Sequence, residues 1–367
     1  MKKLRAGFIS TRIAGTDGVS LEVDKWARIL KGMGIRCYFF AGELDTPSRK
    51  SYLYKKAHFM HPETRALHKG IFGNKRRSRN LTEDIKAEAQ RIKRHIYKFI
   101  KQFKLDLIIP ENCLTIPVNV PLGIALTELI SETGLPTIAH HHDFFWERKR
   151  FLNNNVWDYL NMSFPPHIPN ISHVVINSSG DNQLSLRTGI SATLIPNVMD
   201  FENPPPPPDA YTRHIRSDFD IADDEYFFLQ PTRVVQRKLI EHAIELVSRL
   251  NMKTKLVITH ASGDEGDEYE RRIRKYSELL NVNTAFLSGI VADKRGKTRD
   301  GRKIYTLEDV YPYADFVTYP SVFEGFGNAF LEAIYFRKPI IVNSYSTFTT
   351  DIKPKGFRVV EFNDFIT

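Results

Sequence analysis

Two carboxylates flank a glycine-rich turn in the stretch SVFEGFGNAFLE, which runs from Ser321 to Glu332. Glu324 precedes the turn, and Glu332 stands about one turn into a helix that we expect to begin near Asn328. A carboxylate can accept hydrogen bonds from two neighbouring hydroxyls of a sugar. Two carboxylates at two distances therefore suit a ligand that contains two sugars. The alternative is that both are exposed charges that cap secondary structure.

A guanidinium and an ammonium, those of Arg233 and Lys238, follow another strand-like run and precede a helix. Cations on such a strand–helix turn can clamp a diphosphate from two sides. The alternative is a pair of solvated surface cations, and the spacing alone does not decide between the two.

Three histidines and an aspartate, His140, His141, His142 and Asp143, also end a strand-like run. Imidazoles and a carboxylate at such a position could contact a reacting hydroxyl. A histidine run also suggests a metal, but three consecutive residues point in different directions and no His-x-x-His motif follows. We therefore expect no metal site, and we expect one or two of these histidines to be structural.

A short turn from Gly15 to Gly18 follows the first strand-like run. It lacks the full G-x-G-x-x-G pattern and the lysine of a Walker motif, so it is a weak dinucleotide fingerprint. We expect a tight turn that exposes backbone amides.

Strands and helices must position these residues, and the sequence alternates between the two patterns. A run of five prolines at 204–208, which is stiff and extended, interrupts the alternation before it begins again at Tyr226. The sequence therefore predicts an α/β protein with two doubly wound, Rossmann-like domains whose ligands bind at the carboxyl ends of strands. We expect an N-terminal domain at 1–200, a proline-rich linker at 201–209 and a C-terminal domain at 210–367.

Length, cysteine content and charge narrow the class of protein. The 367 residues suit two domains, no apolar run is long enough for a bilayer, and two cysteines favour a reducing cytoplasm. The formal charge is +9, but residues 49–104 alone hold 17 Lys and Arg against 4 Asp and Glu. A basic insert on a mildly acidic body indicates a local anionic partner. Within the insert we expect irregular structure over 51–79 and a helix over 82–103.

Taken together, the glycine turn, the His-Asp loop, the Arg233–Lys238 pair and the run ADFVTYPSVFEGFGNAFLEAIYFRKPIIV resemble the retaining glycosyltransferases of family four, the group 1 glycosyltransferases. The resemblance runs from Leu4 to about Val342. It implies the GT-B fold, in which two Rossmann-like domains face each other across a cleft. Similar proteins usually carry further βα units after the motif, so we expect the chain to be cut short at its C-terminal end.

The resemblance also implies roles for individual residues. Arg233 and Lys238 would bind the donor diphosphate, Glu324 would hold the donor hexose, and His142 or His141, with Asp143, would contact the transferred sugar or the acceptor. The remaining donor contacts would come from strand-end and helix-start residues. These are Gly15 and Gly18 at the phosphates, Gly289, Ile290 and Val291 at the base, Gly325, Phe326, Gly327 and Asn328 at the sugar and phosphate, and Glu332 at the ribose.

The expected function is transfer of a hexose, with retention, from a nucleotide-diphosphate sugar to an acceptor hydroxyl, with no metal or other cofactor. The acceptor is expected to be anionic, either a glycerate glycoside, as in compatible-solute synthases that resemble this chain around HHHDFFWER, or a phospholipid headgroup at a membrane surface. An epimerase or a glycoside phosphorylase on the same fold is the alternative enzyme. A nucleic-acid-binding protein that uses the basic insert is the alternative from another class, and we expect no nucleic-acid partner.

Overall fold

The computed structural model describes residues 3–15, 17–262 and 266–363. The chain divides into two compact units between Pro196 and Asn197, four residues before the expected end of the first domain. The proline run belongs to the second unit, because the residues just after it are fixed there. Asp209 forms an ion pair with Arg295 at 2.6 Å, and the Tyr211 hydroxyl donates to the carbonyl of Ile304 at 2.8 Å.

The first unit is a parallel sheet of seven strands in the order 3-2-1-4-5-6-7. The order reverses between β1 and β4, and loops that follow these two strands are the usual ligand-binding point of a doubly wound sheet. The strands are β1 (Arg5–Ile9), β2 (Arg36–Ala41), β3 (Ser51–Leu53), β4 (Leu107–Pro110), β5 (Thr137–His141), β6 (Ile171–Val175) and β7 (Ala192–Leu194).

Helices cover both faces of this sheet, because neighbouring strand residues such as Phe39 and Phe40 point to opposite sides. Phe40 packs in the cluster that contains Ile92 and Leu122, whereas Phe39 packs with Val23. The helices are α1 (Gly18–Gly32), α2 (Pro62–Ile71), α3 (Arg79–Phe103), α4 (Val120–Thr133), α5 (Lys149–Leu152), α6 (Trp157–Ser163) and α7 (Ser178–Thr188).

The basic segment at 49–104 is part of these layers. The expectation of irregular structure over 51–79 is wrong, because β3 pairs with β2 at the edge of the sheet and 62–71 forms α2. The expected helix at 82–103 is confirmed and begins three residues earlier, where the Ser78 side chain accepts a hydrogen bond from the amide of Leu81. Its apolar residues recur at helical spacing and are buried, and most of its charges lie on the exposed face, with Glu88 and Lys93 as buried exceptions.

The second unit is a parallel sheet of six strands in the order 10-9-8-13-14-15, with a separate two-stranded pair, β11 and β12. β8 and β13 are neighbours in the sheet although 85 residues lie between the end of β8 and the start of β13. The loops that follow these two strands therefore meet at one edge of the sheet. The strands are β8 (Tyr226–Gln230), β9 (Thr254–Ile258), β10 (Thr284–Phe286), β11 (Gly296–Lys297), β12 (Lys303–Ile304), β13 (Phe316–Tyr319), β14 (Ile340–Asn343) and β15 (Val360–Phe362). The helices are α8 (Ile215–Asp218), α9 (Ile240–Arg249), α10 (Glu268–Leu279), α11 (Leu307–Val310) and α12 (Asn328–Tyr335).

Two Rossmann-like units were predicted from the alternating pattern, and this fold class is confirmed. None of the helices in the described part of the chain is both long enough and apolar enough to cross a lipid bilayer.

Candidate functional site

The loops after β8 and β13 bring a buried lysine and a buried glutamate into contact in the second unit. The Lys238 ammonium donates to Glu324 Oε1, and Arg237 Nη1 lies 3.4 Å from Glu324 Oε2. The side chains of Lys238 and Glu324 are only 9% and 11% exposed. Two buried charges need each other here, because an unpaired one would lose its hydration without compensation. The sequence predicted both residues but not this direct pairing.

The balance of burial and surrounding charges lowers the pKa of both members of the pair. Burial alone raises the pKa of Glu324, but Lys238 and Arg237 outweigh it and hold the pKa below its ordinary value. Burial lowers the pKa of Lys238, with Arg237 and Arg233 acting in the same direction and Glu324 opposing them. The Tyr319 ring lies 5.4 Å from the lysine nitrogen and gives the cation a further favourable contact.

His260, which follows β9, joins the same edge of the sheet. Burial, then the positive charges of Lys238 and Arg233, lower the pKa of His260 to about 4, so its imidazole is neutral at physiological pH. Its Nδ1 lies 2.8 Å from the Thr259 hydroxyl. Sequence reasoning missed both Arg237 and His260. Arg237 is adjacent to Lys238, and His260 stands just after a strand, so strand-end position was the available signal.

The glycine-rich loop is held in a conformation that demands glycine. Gly327 has a φ of +117°, and a Cβ built on it would lie 2.3 Å from the Tyr345 hydroxyl oxygen. That hydroxyl donates to the carbonyl of Phe326 at 2.9 Å, and the Thr347 hydroxyl donates to the carbonyl of Gly325 at 3.3 Å. Side chains thus fix the loop through its carbonyl groups.

Helix α12 begins directly after this loop, at Asn328. The backbone amides of Phe326, Gly327 and Asn328 have no hydrogen-bond partner among the described residues. Free amides at a helix start are suited to phosphate or sugar oxygens. The Asn328 side chain is fixed by Asn197, whose Nδ2 donates to its Oδ1 at 3.1 Å.

The residues predicted to bind the nucleoside also lie in the second unit. Glu332 is one turn into α12, and its Oε2 accepts a hydrogen bond from the Tyr311 hydroxyl at 2.9 Å. After β10, Gly289 is exposed whereas Ile290 and Val291 are buried. Val291 bridges to Tyr305, so the backbone of this segment is fixed.

In the first unit, the ends of β4 and β5 bring two imidazoles to one buried carboxylate. Glu111 is 0% exposed, and its Oε2 lies 2.9 Å from His140 Nδ1 and 3.4 Å from His142 Nε2. His140 and His142 are two apart, so they share one face of the strand end, where Trp26 covers His140 with ring centroids 4.5 Å apart. Sequence reasoning missed Glu111, for which the only signal was its place after a strand-like apolar run.

His141 points the opposite way and is not placed to contact an acceptor. Its side chain is buried, its Nε2 lies 2.9 Å from His173 Nδ1, and its other ring nitrogen is also buried. Burial and then His173 hold the pKa of His141 well below its ordinary value, so this histidine is a neutral core residue. The role expected for His141 is therefore corrected: of the three histidines, His142 is the one whose side chain reaches solvent.

Asp143 is held by two partners beside His142. Arg148 donates to its Oδ2, and Asn112 Nδ2 donates to its Oδ1 at 3.1 Å. The Oδ1 atom of Asn112 also accepts a hydrogen bond from the backbone amide of His142 at 3.1 Å. The His142–Asp143 loop is therefore fixed from the end of β4, which is a rigid support for a ligand contact.

The amides of the first glycine turn are engaged by carboxylates. The Gly15 amide donates to Asp45 Oδ2 at 2.9 Å, and Asp17 caps α1 by accepting from the amides of Val19 and Ser20. Gly18 is the first residue of α1 and is exposed, and Thr16 lies outside the described residues. A phosphate at this turn would meet these two carboxylates, which the sequence prediction did not consider.

Among the described residues, one cluster has the ligand types and spacing that could hold a metal. It consists of Glu111, His140 and His142, whose ligand atoms lie within 4.8 Å of one another. In a metal site the donor atoms surround an empty point at about 2 Å from each. Here both nitrogens instead point at one of the donors, Glu111 Oε2, at hydrogen-bonding distances. The three side chains are therefore joined by hydrogen bonds in this structure.

Two doubly wound units, one with a lysine–glutamate pair beside a free helix start, define an α/β transferase of the GT-B class. The family model of the group 1 glycosyl transferases matches residues 212–361. The chain is 31% identical to the mannosylglucosylglycerate synthase of Petrotoga mobilis, over 97% of this chain and 86% of that protein. It is 32% identical to the mannosylglucosylglycerate synthase of Thermotoga maritima, over 98% of this chain and 85% of that protein.

The solved structure of Anabaena HepE in complex with UDP and glucose superposes with a TM-score of 0.62 at 13% identity, covering 98% of this chain and 86% of that one. The chain belongs to the group 1 glycosyltransferases, and it is an enzyme that transfers glycosyl groups. The resemblance to compatible-solute synthases of the mannosylglucosylglycerate synthase kind is confirmed at the level of sequence similarity.

Proposed function

We propose that the protein transfers a hexose, with retention of its anomeric configuration, from a nucleotide-diphosphate sugar to a hydroxyl of a carboxylate-bearing acceptor. The observation that carries this proposal is the buried Lys238–Glu324 pair next to the free amides at the start of α12. The two curated relatives are named for a mannosylated glucosylglycerate, so we infer that the hexose is mannose and the acceptor a glycerate glycoside. The solved structure with bound UDP supports a nucleotide sugar as donor.

The leaving diphosphate would be stabilised by fixed positive charge. Lys238, Arg237 and Arg233 lie on one strand–helix turn, and the amides of 326–328 add partial positive charge. Preorganised donors of this kind stabilise negative charge as it develops, with little reorganisation when the bond breaks. We therefore infer that departure of the diphosphate requires no metal.

In the transfer step, the bond between the anomeric carbon and the phosphate oxygen breaks, and its electron pair leaves with the nucleoside diphosphate. The acceptor oxygen forms its bond to the same carbon on the same face, and its proton passes to the departing phosphate oxygen. Glu324 would orient the hexose by accepting hydrogen bonds from its hydroxyls, while Lys238 remains beside the leaving phosphate.

The nucleoside is assigned to the other carboxylate of the motif. Glu332 accepts a hydrogen bond from the Tyr311 hydroxyl, and we assign its carboxylate to the ribose hydroxyls. The fixed segment Gly289, Ile290 and Val291 would flank the base, where the exposed glycine leaves space for a flat ring.

We assign the acceptor to the first unit, with His142 and Asp143 as its contacts. The basic segment at 49–104 supplies the surrounding positive potential, although Arg77 is committed to Asp158 at 2.7 Å and to the ring of Tyr159. We place the enzyme in the cytoplasm, in agreement with the buried free thiols of Cys37 and Cys113.

The first experiment is a thermal-shift and turnover screen with UDP-, GDP- and ADP-sugars, followed by incubation with a glycerate glycoside. We expect one nucleotide series to raise the melting temperature and one of its sugars to be transferred. Release of free sugar phosphate from a glycoside, or epimerisation of the donor without an acceptor, would identify the alternative enzymes. No stabilisation by any of these nucleotides would contradict the donor-site assignment.

A further inference from the structure

The buried carboxylate of Glu111 controls which nitrogen of His142 is offered to solvent. Glu111 Oε2 faces His142 Nε2 at 3.4 Å and His140 Nδ1 at 2.9 Å, and a carboxylate accepts hydrogen bonds but does not donate them. Both of these ring nitrogens therefore carry a proton. His142 is left with Nδ1, which has no hydrogen bond to any described residue.

The two neighbouring histidines cannot substitute for His142. The second nitrogens of His140 and His141, Nε2 and Nδ1 respectively, are fully buried and have no hydrogen-bond partner in the described part of the chain. Neither nitrogen is therefore accessible to a ligand. The side chain of His142, by contrast, is 10% exposed.

The carboxylates that surround His142 all raise its pKa. Burial alone lowers the pKa of His142, but Glu111 raises it above its ordinary value, and Glu22 on α1 and Asp143 reinforce this effect. Glu22 is itself paired with Lys25 at 2.6 Å and Asp143 with Arg148, so Glu111 is the carboxylate in direct contact. His140 contacts the His142 ring from β5, with centroids 4.7 Å apart.

We propose that Glu111 is a positioning residue that holds His142 doubly protonated, so that its Nδ1–H binds an anionic oxygen of a substrate. A fixed imidazolium is a charge-assisted donor, and such hydrogen bonds are stronger than neutral ones. The anionic oxygen belongs either to the carboxylate of the acceptor or to a phosphate of the donor. The choice between these two sources rests on the proposed function, whereas the imidazolium itself does not.

Calorimetry with D-glycerate and with inorganic pyrophosphate tests the proposal on the full chain. We expect Glu111→Gln, which keeps the shape but removes the charge, and His142→Asn each to weaken binding of one probe about tenfold, equivalent to about 1.4 kcal/mol. Weaker glycerate binding assigns the acceptor carboxylate, and weaker pyrophosphate binding assigns the donor phosphate. Unchanged binding of both probes in folded His142→Asn would overturn the proposal.

Two further measurements separate a positioning role from a structural one. Histidine nitrogen NMR should show both ring nitrogens of His142 protonated in the wild type and one of them bare in Glu111→Gln, and identical spectra would overturn the proposal.

His173→Gln is the matched control, since it removes another buried imidazole contact and should leave binding of both probes unchanged. If the wild type transfers no sugar, the proposed function fails, but the NMR result still tests Glu111. A stoichiometric metal that co-purifies and is lost in Glu111→Gln would also overturn the proposal.

Discussion

In the second unit, the buried charges of Lys238 and Glu324 lie in turns that the sequence identifies as candidate ligand-binding segments. In the first unit, the buried carboxylate of Glu111 lies outside any recognisable motif. Lys238 ends a basic turn, and Glu324 precedes a glycine-rich turn. The two side chains neutralise each other directly. Glu111 instead contacts the imidazole of His142, whose side chain is 10% exposed. The Lys238–Glu324 pair is thus closed on itself, so a ligand would have to share it, whereas we propose that His142 offers a ligand an N–H group that Glu111 has already oriented.

The largest effect is expected from Lys238→Met. We expect turnover to fall by about 10³, because fixed donors to a developing anion contribute about 10²–10³ each and Lys238 also positions Glu324. The free energy of unfolding should fall by about 3–5 kcal/mol, since the buried Glu324 loses its main partner. Turnover by stopped assay and unfolding by denaturant titration measure the two effects.

The double variant Lys238→Met/Glu324→Gln separates catalysis from stability at this pair. Removing both charges should recover most of the lost stability, because no unpaired buried charge remains. Activity should stay as low as in the single variant. Recovery of activity along with stability would mean that the pair supports the fold and not the transfer.

The next effect concerns the two carboxylates of the motif. Glu324→Gln should lower kcat about 10²-fold with nucleoside diphosphate affinity unchanged, because we assign Glu324 to the hexose. Glu332→Gln should raise the donor KM about tenfold with kcat nearly constant, as expected for loss of uniform binding. Steady-state kinetics on both variants would contradict the assignment if the two patterns were exchanged.

Backbone strain predicts a stability effect that distinguishes two glycines of the second unit. Gly327→Ala places a Cβ 2.3 Å from the Tyr345 hydroxyl at a φ of +117°, so we expect a loss of about 1–3 kcal/mol. Gly289→Ala is the control, because nothing lies within 4 Å of its Cβ position. Thermal melts of both variants test this contrast, and equal melting temperatures would mean that the loop is not held as described.

The His142 site should lose affinity for an anion as the pH rises, because its imidazole loses its positive charge. The pKa of His142 is raised in the folded protein, so its bound anion is held below that pKa and released as the pH rises through it. Affinity for the anionic probe should fall in the wild type as the pH rises through the raised pKa of His142. In Glu111→Gln the fall should begin at lower pH, and an unchanged profile would argue against the role of Glu111.

The smallest effects are expected on the basic surface of the first unit. Lys75→Gln/Arg76→Gln should leave unfolding unchanged, whereas Arg77→Gln should cost up to about 1 kcal/mol because it breaks the pair with the exposed Asp158. Flotation with anionic vesicles tests the alternative of a lipid acceptor. Binding that is lost in Lys75→Gln/Arg76→Gln would favour a phospholipid headgroup over a soluble glycerate glycoside.

Local pattern was enough for most of the fold and for part of the candidate site. Strand and helix periodicity predicted both sheets, and strand-end position singled out the segments that hold Lys238, Glu324 and the three histidines, whose roles stay predictions. The edge strand β3 and helix α2 were missed, because short elements in a basic segment carry little periodic signal. Glu111 and the burial of His141 could not be predicted, because they depend on β5 lying between β4 and β6, which is a property of sheet order.

We infer that this chain transfers a hexose from a nucleotide sugar with retention, through the Lys238–Glu324 site. NMR of the products formed from each nucleotide sugar and a glycerate glycoside tests this inference, with the anomeric configuration read from the one-bond carbon–proton coupling. We expect a new glycoside with the configuration of the donor, formed by the wild type and not by Lys238→Met. A product of inverted configuration, or equal product from Lys238→Met, would contradict it.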